Sequence, residues 1–137
     1  MDDEHERFDR GSEQFRRIHD KSGAQVVEGL ADIAPDLGRY VVEFAFGDVY
    51  ARPGLGLRER QIATVAALTA LATAPAQLQV HIEAALKVGV TPHEVVEVIT
   101  QMALYAGFPA ALNGITAARA AFAAAGVPLP LRQEGES

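Results

Sequence analysis

The sequence predicts an all-α, single-domain helical bundle of about six to seven helices. Three observations carry this expectation. Alanine dominates while aromatic residues make up only 7% of the 137 residues, and alanine loses least on entering a helix. No segment alternates apolar and polar residues between Asn-Gly or Asp-Gly turns, as a hairpin would. Apolar residues instead recur at three- and four-residue spacing between proline and glycine breaks.

The elements follow in order. Residues 1–19 are polar, with Phe8, Phe15 and Ile18 near heptad spacing, so a narrow-faced helix or a mobile arm is expected, weakened by Gly11. Ser22 is a candidate cap for a second helix carrying Val26, Val27, Leu30 and Ile33. Pro35 opens a third helix with Leu37, Tyr40, Val41 and Phe44 as its apolar face. It stops before Arg52-Pro53-Gly54-Leu55. A fourth helix runs from about Leu57 to Thr73 and lacks charge beyond Arg58, Glu59 and Arg60, the mark of a central buried helix. Pro75 opens a fifth, with Leu78, Ile82, Ala85 and Leu86 facing the core and Gly89 ending it. Thr91-Pro92-His93-Glu94 reads as a capping box with proline at the first helical position, and Val95, Val98, Ile99 and Met102 follow. Gly107 and Pro109 separate this sixth helix from a seventh over about 110–125, closed by Gly126. The expected organisation is therefore an N-terminal arm or helix over 1–22, a helical domain over 23–126 and a disordered tail over 127–137.

Charge is uneven. Residues 1–36 hold ten acidic and five basic side chains, whereas residues 61–131 hold only Glu83, Lys87, Glu94, Glu97 and Arg119. That is too few to solvate several surface helices of a monomer, so self-association is expected, the alternative being an alanine-smooth surface that is soluble enough by itself. The net charge of −6 argues against nucleic-acid binding, which requires a basic footprint. The absence of cysteine excludes disulfides, thiolate metal sites and thiol redox catalysis. No signal-like or membrane-spanning run is visible, and a cytoplasmic location is expected.

Few residues carry chemistry. His81 lies mid-helix among apolar and amide side chains. It is either a hydrogen-bonded interfacial histidine or a proton donor and acceptor, the task that suits imidazole at neutral pH. Arg52, Arg58 and Arg60 flank the breaker before the fourth helix. They would either hold a substrate carboxylate through the guanidinium fork or pair with Glu43, Asp48 or Glu59. His93-Glu94-Val95-Val96-Glu97 lacks the second histidine of a zinc-protease motif, and the capping box already explains Glu94. Gly54-Leu55-Gly56-Leu57 has neither a third glycine nor a preceding strand, so it is no dinucleotide loop.

Several segments together resemble the carboxymuconolactone decarboxylase family. Phe46-Gly47-Asp48-Val49-Tyr50-Ala51-Arg52-Pro53-Gly54-Leu55 looks like its signature loop, and Arg58-Glu59-Arg60 with Thr64-Val65-Ala66 resembles the helix that follows. Gln77-Leu78-Gln79-Val80-His81, Gly89-Val90-Thr91-Pro92 and Tyr105-Ala106-Gly107-Phe108-Pro109-Ala110-Ala111 resemble the histidine helix, the next cap and a Tyr-x-Gly-x-Pro-Ala motif. The likeness spans roughly residues 10–125.

The resemblance implies an alkylhydroperoxidase D-like helical fold that assembles into a hexamer or trimer. It also implies a cofactor-free, metal-free decarboxylation of 4-carboxymuconolactone in aromatic catabolism. His81 and Arg52 would be catalytic, and Arg60, Gln77, Gln101, Tyr105, Phe46 and Tyr50 would bind substrate. The related peroxidases carry Cys-x-x-Cys-x-x-x-His. Aligned on His81, their cysteines fall at Ala74 and Gln77, so thiol peroxidase chemistry is excluded. This chain departs from the family at Gln77, where glutamate is common, at Gln61, where serine is common, and at Phe46 and Tyr50, where tryptophan is usual. These departures leave two alternatives: a diverged cyclase, isomerase or dehydratase of a biosynthetic pathway, or a non-catalytic oligomeric binding protein.

Overall fold

The computed structural model describes residues 4–132. Those residues are helical and contain no strand: α1 (Glu4–Ile18), α2 (Lys21–Glu28), α3 (Pro35–Tyr40), a π-helix (Val41–Tyr50), α4 (Leu57–Leu71), α5 (Pro75–Lys87), α6 (Pro92–Ala106) and α7 (Phe108–Ala125). No described helix is long and apolar enough to cross a membrane. Contacts divide the chain into two compact units, Met1–Arg60 and Gln61–Ser137, meeting within α4.

In the first unit α1 packs on the π-helix, and the N-terminal segment is a docked helix. Gly11 makes this possible. A Cβ there would overlap the Val42 carbonyl, and one on Gly47 would meet the Arg7 carbonyl oxygen at 2.7 Å. Two backbones thus meet where only hydrogen fits. Ile18, Val42 and Phe46 fill the space beside the crossing. Charge reinforces it. Arg7 pairs with Asp48 at 2.6 Å, and Arg10 Nε donates to the Gly47 carbonyl at 2.8 Å.

Two expectations change here. Asp20, not Ser22, holds the cap position of α2, and Leu30 and Ile33 fall in the turns beyond its end. The expected apolar face of the third helix largely points outward: Leu37, Tyr40 and Phe44 are more than half exposed, while Gly38, Val42, Phe46 and Gly47 are buried. The change from α to π winding after Tyr40 shifts the phase of the helix, and α1 seats on the small residues, where it approaches closest.

In the second unit, buried residues of α4, α5, α6 and α7 form one core: Val65, Leu78, Ile82, Ala85, Val95, Ile99 and Phe122 among others. Its alanines serve close packing. Ala110, Ala111, Ala117, Ala118 and Ala121 line the buried side of α7, and Gly114 lies so near Ile99 and Thr69 that a Cβ would sit 2.9 and 3.0 Å from their methyl groups. α4 is not buried all round. Gln61, Val65 and Thr69 form one buried stripe, while Ala63, Ala67, Ala70 and Leu71 are exposed. α7 begins at Phe108, two residues earlier than expected, and ends at Gly126, whose φ of +74° favours glycine.

Beyond Gly126, Val127 and Leu131 pack against the core. The expected disordered tail is thus docked over its first residues, because it carries two apolar side chains. Residues 133–137 lie outside the described residues.

The capping box is present as expected. The Glu94 N–H donates to Thr91 Oγ1 at 3.1 Å, and the Thr91 N–H to Glu94 Oε1 at 3.0 Å. Thr91→Ala should therefore cost about 0.5–2 kcal/mol, read as a lowered thermal midpoint in a circular-dichroism melt.

Candidate functional site

His81 sits on α5, one turn after Gln77. Its Nδ1 lies 3.2 Å from Oε1 of Gln61, at the start of the buried stripe of α4. Gln61 itself is fully buried, and its Nε2 is enclosed without a hydrogen-bond partner. An amide oxygen only accepts, so this contact is a hydrogen bond in the His81 tautomer that carries its proton on Nδ1. Burial pushes the His81 pKa below its ordinary value of 6.5, because desolvation penalises the charged ring. His81 is therefore neutral at pH 7 in the folded chain.

That shift has a consequence for stability. The unfolded chain binds a proton at His81 more readily than the folded one. The contribution of the neutral ring is thus fully present above about pH 6.5 and is lost as pH falls toward the lowered folded value. Urea midpoints taken from about pH 7.5 to about pH 5 should fall for the wild type and fall less for His81→Gln.

The other expected residues of this unit are placed differently. Gln77 and Gln101 are exposed, and Tyr105, one turn after Gln101 on α6, is 77% exposed. A cavity of about 390 Å³ lined by Leu68, Thr69, Ala72, Leu78, Asn113 and Ala117 includes neither His81 nor Gln61. The cavity and the titratable group are therefore at different places.

In the first unit, Arg60 donates from its terminal nitrogen to the Arg52 carbonyl at 3.1 Å, pinning the loop at the Pro53-Gly54 break. The Arg52 side chain is exposed. The carboxylates considered for it are held elsewhere: Asp48 by Arg7 and Arg10, Glu43 by Arg7 and Arg39. The hydrogen bond from Arg7, helped by Arg10, holds the Asp48 carboxyl below the usual carboxylate range.

Phe46 is buried in an aromatic cluster. It stacks on Tyr50 with centroids 5.1 Å apart and meets Phe15 edge-on at 4.9 Å. His19 joins this cluster, 5.4 Å from Phe46, and is almost fully buried. The polar surroundings of His19 in the sequence hide that role, and only its i,i+4 spacing from Phe15 points to it.

A family model described as the carboxymuconolactone decarboxylase family matches residues 35–125. A 4-carboxymuconolactone decarboxylase of Acinetobacter baylyi is 36% identical over 111 residues, covering 80% of this chain and 81% of that protein. An uncharacterized 15.0 kDa protein of Paracoccus denitrificans, from the nqo9–nqo10 intergenic region, is 30% identical over 98 residues, covering 71% and 73%. The chain belongs to the carboxymuconolactone decarboxylase family.

Proposed function

We propose that this chain is a cofactor-free carboxy-lyase acting on a carboxylated lactone of the 4-carboxymuconolactone type. The observation that carries the reading is a neutral, half-buried His81 oriented by a buried amide, in a chain of this family. The substrate is its own electron sink. As the carbon–carboxylate bond breaks, its electron pair moves into the ring and onto the lactone carbonyl oxygen, giving a dienolate and CO2. A proton then bonds to carbon, so one carboxylate and one proton become one C–H bond and one CO2.

His81 supplies that proton. The negative charge of the bound substrate favours protonation of the ring: neutral His81 takes up a solvent proton at Nε2, and the resulting imidazolium delivers it to carbon and returns to the neutral form. Arg52, a guanidinium whose side chain forms no ion pair among the described residues, anchors the retained carboxylate, and Arg60 holds the Arg52 backbone. Gln77, Gln101, Tyr105 and Tyr50 add polar contacts, and Phe46 supports Tyr50 from beneath. In this reading the reaction belongs to aromatic catabolism in the cytoplasm.

The chain also self-associates in this reading, into a hexamer or trimer. Leu104, Tyr105, Phe108 and Leu112 are each about two-thirds or more exposed, an apolar stripe that a second copy would cover. Light scattering at micromolar concentration should report the oligomer; a monomer contradicts it.

The test of the activity is consumption of 4-carboxymuconolactone by purified protein, with Arg52→Lys raising KM while the melting temperature stays unchanged. Lysine keeps the charge and loses the fork. The amide at Gln77, where the family commonly has a carboxylate, favours a second reading, a diverged cyclase, isomerase or dehydratase; turnover of a related lactone without loss of CO2 would select it.

A further inference from the structure

Gln61 is an uneconomical residue for a core. Its Oε1 lies 3.2 Å from His81 Nδ1, but its buried Nε2 has no acceptor, and an enclosed donor without a partner destabilises a fold. An aliphatic side chain of the same length would fill the same stripe beside Val65 and Thr69 without that penalty. A function other than packing therefore holds glutamine at this position.

We propose that Gln61 is a positioning residue that fixes the proton of neutral His81 on Nδ1, so that Nε2 is the atom that exchanges protons with the substrate. The inference deepens the lyase reading and rests on it for its catalytic meaning. A neutral imidazole has one N–H and one lone pair, and the partner of one nitrogen decides the state of the other. With Nδ1–H directed at Oε1, the basic lone pair lies on Nε2. The same bond persists in the imidazolium, so the ring keeps one orientation as Nε2 gains and loses its proton. Gln61 does this without charge. A carboxylate there would hold the imidazolium too firmly for delivery to carbon, whereas an amide orients the ring and leaves it a ready acid.

The decisive readout needs no substrate. In ¹⁵N-labelled protein at neutral pH, the His81 shifts should show a protonated Nδ1 and an unprotonated Nε2. Gln61→Met, close in shape and lacking both donor and acceptor, should move the proton toward Nε2. Its melting temperature should equal or exceed that of the wild type, because the enclosed donor is gone. If the lyase reading holds, kcat should also fall about 10-fold or more, the order found when a ligating histidine loses its orienting partner, with KM little changed.

A wild-type ring protonated on Nε2 overturns the proposal. So does an unchanged tautomer in Gln61→Met, or a lowered melting temperature with the tautomer unchanged, which is what a purely structural glutamine would give. Failure of the lyase reading alone would appear differently: the tautomer would shift as expected while neither protein consumed the lactone.

Discussion

His81→Ala should lower turnover by roughly 10²–10⁴-fold, the usual contribution of a general acid–base group, while the helical circular-dichroism signal and the oligomeric state are retained. The ring is half-buried on α5, and the core beneath it is made by Leu78, Ile82 and Ala85, so removing the imidazole leaves the packing of that helix in place. Its Gln61 partner then loses one hydrogen bond, which costs on the order of 1–3 kcal/mol and is visible as a modest fall in melting temperature. A structural histidine would behave in the opposite way: stability would fall first, and activity only as far as the folded fraction fell. His81→Gln separates the two further, since glutamine retains hydrogen-bonding capacity but cannot shuttle a proton. It should be as inactive as the alanine variant and more stable.

Gly11→Ala should be the most damaging single methyl in the first unit. The added carbon would meet the backbone carbonyl of Val42 and lie 3.1 Å from the Gly47 nitrogen, and neither atom can rotate away. Overpacking usually costs about 1–3 kcal/mol and more where the neighbours are rigid, so a loss near the top of that range is expected. It would be measured as a lower denaturation midpoint with loss of the Phe15–Phe46 near-ultraviolet signal. Gly54→Ala is the control. A Cβ there meets nothing within 4 Å, and the melting temperature should be unchanged.

The contrast between these two glycines shows what the sequence makes legible. Gly54, beside Pro53, reads correctly as a break. Gly11, inside a polar helix, reads only as a weakness, because its purpose is set by a partner more than thirty positions away in the chain. Helix ends were legible for the same local reason: Thr91 with Glu94 and Gly126 act within a few residues of themselves. The face of the third helix was not. Leu37, Tyr40 and Phe44 follow an α-helical period, and the winding changes to π just as that face is established.

At the site, His81 stands out by composition alone, an imidazole in an apolar run. Gln61 does not, since a glutamine at the head of a helix is ordinary; only its burial and the 3.2 Å contact with His81 mark it. The freedom of Arg52 was equally illegible, because it depends on Arg7, Arg10 and Arg39 claiming Asp48 and Glu43 first.

The most direct test of the lyase reading is the stoichiometry of gas release from 4-carboxymuconolactone. Purified protein should liberate one CO2 for each lactone consumed, leaving a lactone with one carboxylate fewer, and His81→Ala should liberate almost none over the same time. Consumption of the lactone without CO2, or equal release by wild type and His81→Ala, would contradict it.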